Sequence, residues 1–131
     1  MNVLTALEKL YDRFGREYRA GEAVFAEGQA DTDMFFVLAG SVEVVKKAPE
    51  GKPGGEVALA TLGVGDFFGE MSLLLDEPRS ATVRAATDAT RAIRISRGNF
   101  DTIVKLQPQI AIEMLRVLAK RLRATSRMAV G

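Results

Sequence analysis

Between residues 17 and 96 the chain never keeps one structural tendency for long: short apolar or alternating runs are cut by Gly, Pro, Asp and other turn formers. That punctuation leaves room for strands and little for helices. Arg19-Ala20-Gly21-Glu22 reads as a turn before Ala23-Val24-Phe25-Ala26, and Glu27-Gly28-Gln29 reads as another. The run Met34-Phe35-Phe36-Val37-Leu38 reads as a buried strand, and Gly40 separates it from Ser41-Val42-Glu43-Val44-Val45, which alternates. Stretch 48–55 holds two Pro and three Gly, the composition of a hairpin tip, and 56–62 is the return strand. Gly63-Val64-Gly65-Asp66 is a tight turn, and 81–86 and 90–95 are further strands. Many short strands at this spacing predict an antiparallel β-roll of jelly-roll type.

Helical signals lie at the two ends. Val3, Leu4, Leu7, Leu10, Tyr11 and Phe14 recur at helical spacing until Gly15 stops them. Near the other end, Ser96 or Asn99 is placed to cap a short helix through Val104, and Pro108 suits the first turn of a long one. That helix carries a stripe at Ala111, Leu115, Leu118 and Leu122. The expected architecture is one mainly β domain of the α+β kind over 1–131. Its parts are a helix over 1–14, the roll over 15–96 and helices over 97–128.

Two absences narrow the chemistry. The 131 residues contain no Cys, which excludes disulfides, thiolate metal sites and a cysteine nucleophile. They contain no His, which removes the commonest general base and the usual haem and metal ligand. With 18 basic and 17 acidic side chains, bulk charge points to neither nucleic acid nor membrane. No uninterrupted apolar run reaches the ~18 residues a bilayer span requires. The expectation is a cytoplasmic protein, or a cytoplasmic piece of a larger one, that is not an enzyme and holds no metal.

The chemistry concentrates in Phe68-Gly69-Glu70-Met71-Ser72-Leu73-Leu74-Leu75-Asp76-Glu77-Pro78-Arg79-Ser80-Ala81-Thr82. A Gly-Glu pair opens an apolar stretch too brief for an ordinary helix, yet it interrupts the strands. Gly69 permits close backbone approach, and the N–H groups of a helical turn starting there would form an anion site. Arg79 follows nine residues after Glu70, its backbone fixed by Pro78. A guanidinium matches a phosphate through paired, charge-assisted hydrogen bonds, each worth about 1.5–3 kcal/mol. A carboxylate repels a phosphate but accepts hydrogen bonds from a neutral diol. The set therefore suits a sugar phosphate with one negative charge; the alternative is that Glu70 and Arg79 form a structural salt bridge.

This segment resembles the phosphate-binding cassette of the cyclic-nucleotide-binding family. It matches at Phe68, Gly69, Glu70, Leu73, Pro78, Arg79, Ser80, Ala81 and Thr82, and the wider pattern agrees at Gly28, 36–40, Val42 and Gly65-Asp66. The resemblance implies that Arg79 pairs with the cyclic phosphate and that Glu70 accepts the ribose 2′-hydroxyl. It implies that backbone N–H groups near Gly69, Met71 and Ser72, and of Ser80, complete the cradle, with Phe68 and Ala81 in the same set. The Ser80 hydroxyl is a further contact to the phosphate or the base.

Segment Ala119-Lys120-Arg121-Leu122-Arg123-Ala124-Thr125-Ser126 is similar to the last helix of bacterial catabolite-activator-type regulators, which covers the base. The resemblance makes Thr125 and Ser126 the adenine candidates, with Arg121 or Arg123 as stacking alternatives; the other reading is that Thr125 and Ser126 are caps or solvated residues. Arg116, Lys120, Arg123 and Arg127 share one helical face, which is either a surface for an acidic partner or nucleic acid or simply solvated. No helix-turn-helix follows, so this chain alone is not expected to bind DNA specifically.

The expected function is that of a sensor for cAMP or cGMP, with cAMP favoured. Ser80 keeps cGMP open, because a hydroxyl after the cassette Arg can accept from the guanine amino group. A ligand shifts a helix only by binding one arrangement better than another. A micromolar ligand supplies about 8 kcal/mol, of which 2–3 kcal/mol spent on the last helix shifts its population roughly thirty- to 150-fold. Exposed, the Leu stripe would seek a homodimer partner or an effector domain. A metal-dependent enzyme on a β-roll lacks its His ligands here, and gas or redox sensing lacks Cys or haem ligands. The remaining rival is a ligand-blind module kept for dimerisation.

Overall fold

The structure, a computed structural model, describes residues 2–49 and 54–130, with side chains as far as residue 126. Helix α1 (Val3–Phe14) starts at Asn2, whose Oδ1 accepts from the Thr5 N–H at 2.9 Å, and it buries Ala6, Leu7 and Leu10. It ends where the chain folds tightly back: a Cβ at Gly15 would lie 2.3 Å from the Tyr11 ring. Strand β1 (Gly15–Tyr18) begins at once.

The strands that follow are β2 (Ala23–Phe25), β3 (Met34–Ala39), β4 (Val42–Lys47), β5 (Glu56–Leu62), β6 (Phe67–Phe68), β7 (Thr82–Ala85) and β8 (Thr90–Ile95). They form two four-stranded antiparallel sheets, in the orders β1-β8-β3-β6 and β2-β7-β4-β5. Helix α2 (Glu70–Leu75) joins β6 to β7, and α3 (Phe100–Leu106) and α4 (Gln109–Val130) close the chain. The antiparallel β-roll with helices at both ends is the architecture anticipated from the turn pattern. None of the described helices is long and apolar enough to cross a membrane.

Strand β3 explains how the two cores are built. Its side chains alternate, as a strand's must. Met34 and Phe36 join Leu7, Leu10, Phe67, Ile93, Ile95, Ile103, Ile110 and Met114 in a core between the first sheet and the helices. Phe35 and Val37 join Phe25, Val42, Phe68, Val83 and Ala92 in a second core between the sheets. The first sheet is therefore covered on both faces, which is why 34–38 reads as continuously apolar.

Four details differ from the sequence reading. β6 was not anticipated: a two-residue strand shows no alternation, and it pairs only through Phe35–Phe68 and Phe36–Phe67. Pro108 sits just before α4 rather than in its first turn. Asn99 is the N-cap of α3, yet its side chain accepts from the Ser96 N–H at 2.8 Å while Ser96 Oγ accepts from the Asn99 N–H at 3.2 Å, so the two brace the preceding turn and neither side chain caps a helical N–H. On α4 the face that packs inward is Ile110, Met114, Val117 and Leu118; Leu115 and Leu122 of the expected stripe stand 69% and 68% exposed. On the basic face Arg116 pairs with Glu113 one turn back at 2.7 Å. The Arg127 side chain and residues 50–53 of the hairpin tip lie outside the described residues.

Candidate functional site

At the end of the inter-sheet core, below α2, lies a cavity of about 250 Å³. Its lining includes Phe68, Gly69, Glu70, Met71, Ser72, Pro78, Arg79, Ser80 and Ala81, whereas of the other cassette residues Leu73 packs into the core beneath the helices and the Thr82 hydroxyl accepts from the Glu27 N–H at 2.9 Å. Phe25, Val44 and Val83 supply its apolar side.

Local geometry brings the cassette there. Gly69 caps α2 at φ 83°, a left-handed conformation that side chains disfavour. A Cβ there would lie 2.9 Å from the Asp33 carbonyl oxygen and 3.0 Å from an Arg79 terminal nitrogen. Only glycine lets the start of α2 come this close to the guanidinium. After six residues Asp76, at φ 60°, ends the helix, and its N–H donates to the Ser72 carbonyl at 3.0 Å.

Arg79 is the centre of the polar network. Its backbone is clamped to the β2–β3 loop: the Gly28 N–H donates to the Arg79 carbonyl and the Arg79 N–H to the Gln29 carbonyl, both at 2.8 Å. Its side chain is 1% exposed and lies over the Phe25 ring, 3.8 Å from the centroid. One nitrogen of the Arg79 head donates to Asp31 Oδ2 at 2.8 Å and to the Asp33 carbonyl at 2.5 Å. Nε reaches Asp31 Oδ1 at 3.4 Å, and the other terminal nitrogen reaches the Gly69 carbonyl at 3.3 Å. The Asp33 carboxylate is engaged separately, by Arg94.

Glu70 is 6% exposed and its carboxylate meets Arg121 of α4 at 3.4 Å. The Arg121 guanidinium also lies over Phe67, 5.2 Å from the ring centroid. Glu70 and Arg79 thus have separate ionic partners, and the alternative of a salt bridge between them is not realised among the described residues. Ser72 and Ala81 are buried, whereas Met71 and Ser80 are exposed.

The candidates for the base are placed differently. Arg121 bends back to the cassette through Glu70. Arg123, Thr125 and Ser126 are exposed on α4 and do not line this cavity. Thr125 Oγ1 donates to the Arg121 carbonyl one turn back, at 3.1 Å. Asp31 and Asp33 were not singled out from the sequence. They sit 48 and 46 residues from Arg79 in a turn-rich loop, with only an Asp-Thr-Asp triplet to mark them. Among the described residues no group of three metal-ligating side chains is gathered.

Taken together, the roll and its cassette define a β-roll domain with one sheet-lined cavity into which a buried cation, Arg79, and a buried carboxylate, Glu70, are both built. The family model for the cyclic nucleotide-binding domain matches residues 15–107, and the chain belongs to that family. It is 33% identical over 110 residues to the CRP-like cAMP-activated global transcriptional regulator of Mycobacterium tuberculosis, covering 84% of this chain and 47% of that protein. Over 78 residues it is 45% identical to a cAMP-dependent protein kinase regulatory subunit of Mycosarcoma maydis, covering 58% of this chain and 14% of that one. The Thermus thermophilus catabolite activator protein superposes with a TM-score of 0.73 at 29% identity, covering 96% of this chain and 55% of that one. The chain spans about half the length of the bacterial regulator it matches. Both curated relatives are regulatory by name.

Proposed function

We propose that this chain is a non-enzymatic sensor of cyclic nucleotide, preferring cAMP to cGMP, and that it signals through α4. One observation carries the reading: a nearly inaccessible guanidinium and a nearly inaccessible carboxylate face the same cavity without pairing to each other. Arg79 receives the cyclic phosphate and Glu70 accepts the ribose 2′-hydroxyl. Backbone N–H groups at Gly69, Met71, Ser72 and Ser80 complete the cradle. The preference for cAMP draws its support from the names of the two curated relatives, both of which carry cAMP.

Transmission follows from the contact at Glu70. The carboxylate offered to the ribose is the one that holds Arg121, so a bound ligand shares or loosens the grip of the cassette on α4. A ligand coupled in this way has a different affinity for the two helix positions, which is what a population shift requires. The outward apolar residues of α4, Ile112, Leu115 and Leu122, suit a second copy of the chain or an effector domain. In a dimer, Thr125 and Ser126 are the candidates to reach adenine. The working location is the cytoplasm, and this chain on its own binds neither DNA nor membrane.

The test is calorimetric titration with cAMP and with cGMP, on the wild type and on Arg79→Ala. Binding that weakens at least tenfold on loss of Arg79 supports the assignment. Equal affinity places the ligand elsewhere, and no binding by the wild type leaves a dimerisation module.

A further inference from the structure

We propose that Asp31 is a resident counter-anion for Arg79, one that stabilises the empty cavity and thereby holds ligand affinity down. The inference rests on the reading that Arg79 receives the nucleotide phosphate. A guanidinium whose side chain is 1% exposed needs a nearby negative charge when no ligand is present. Asp31 supplies it through two oxygens, at 2.8 and 3.4 Å, while remaining 47% exposed, so it gives up only part of its own hydration. Asp33 does not take this role, since its carboxylate is held by Arg94 and only its carbonyl touches Arg79.

When the phosphate arrives, two anions share one cation. Asp31 does not line the cavity, so it stays beside the guanidinium on an edge turned away from the ligand. Glu70 and Glu77 do line the cavity, and among the described residues only Glu70 of the two has a cationic partner, Arg121. The local balance is already negative before the phosphate adds to it: Arg79 and Arg121 stand against Asp31, Glu70 and Glu77. Asp31 therefore stabilises the empty state more than the filled one. Removing its charge does not release Arg79, because the Phe25 ring, the Asp33 carbonyl, the Gly69 carbonyl and the backbone clamp at Gly28 and Gln29 all remain.

The experiment compares the wild type with Asp31→Asn, which keeps the shape and an acceptor but loses the charge. Calorimetry with cAMP and cGMP is paired with thermal melting in the presence of ligand and of inorganic phosphate. For a half-exposed partner the expected gain in affinity is about three- to tenfold. The empty variant should melt below the wild type and gain more in melting temperature from ligand. Equal or weaker nucleotide binding by Asp31→Asn, with a wild type that binds, overturns the counter-anion role and makes Asp31 a support for Arg79. If neither protein binds nucleotide, the reading of the pocket fails by itself. Inorganic phosphate then decides: a larger stabilisation of Asp31→Asn retains the proposal, and an equal one overturns it. Should Asp31→Asn not fold, Asp31→Ala replaces it with the same expected direction and the same overturning result.

Discussion

The two cores on either side of β3 are made of similar residues and do different work. Toward the helices, Leu7, Met34, Phe36, Ile93, Ile95, Ile103 and Ile110 are completely inaccessible, and α1, α3 and α4 seal that side. Toward the second sheet, Phe25, Phe35 and Phe68 form a smaller cluster, with ring centroids 5.3 to 6.1 Å apart, that opens into the cassette cavity. In both places an aromatic ring carries an arginine, yet Arg79 over Phe25 is 1% exposed and Arg121 over Phe67 is 52% exposed. A closed apolar core can be judged by packing alone. An open one retains a charge at its mouth, and its stability is tied to what neutralises that charge.

The contrast is tested most severely at Leu7, which lies on α1 in the helix-side core and does not line the cavity. Leu7→Ala is expected to cost about 2–5 kcal/mol of folding stability, read from the urea midpoint, while the affinity of the folded fraction stays unchanged. A matching loss of affinity would merge the two regions into one. Arg79→Ala has the converse signature: binding weaker by at least tenfold, about 1.4 kcal/mol, in the calorimetric titration. Glu70→Ala should weaken binding by less, because it removes a bond to a neutral hydroxyl, and a loss exceeding that of Arg79→Ala would reverse the two roles. Smallest in the monomer is Leu122→Ser, within about 0.5 kcal/mol by denaturation because the side chain is already exposed. Sedimentation should nonetheless show weaker self-association for that variant; no change would remove the outer face of α4 from the interface.

How legible these features are from sequence depends on how local they are. Strands β5 and β8 have the bounds read from the sequence, since turn residues fence them on both sides. The cassette was legible as a motif because its residues are contiguous in sequence, and most of them, though not Leu73 or Thr82, line one cavity. What stabilises Arg79 was not, because Asp31 comes from a loop 48 residues earlier whose local composition signals only a turn. The inner face of α4 was hidden for a different reason. That helix is apolar on two sides, with Ile110, Met114, Val117 and Leu118 on one and Ile112, Leu115 and Leu122 on another, and periodicity does not say which side meets the roll. Strand β6 escaped because a two-residue pairing has no pattern to recognise.

Strand β3 is a party wall. From Met34 to Val37 none of its residues is more than 4% exposed, and neighbours along it belong to different rooms. Trimming Phe35 to enlarge the receptor would leave a void against the same backbone that seats Phe36 beneath the helices. Protein engineers who wish to re-tailor the cavity for another guest have no independent dial here, and each change of fit must be matched by a refitting next door.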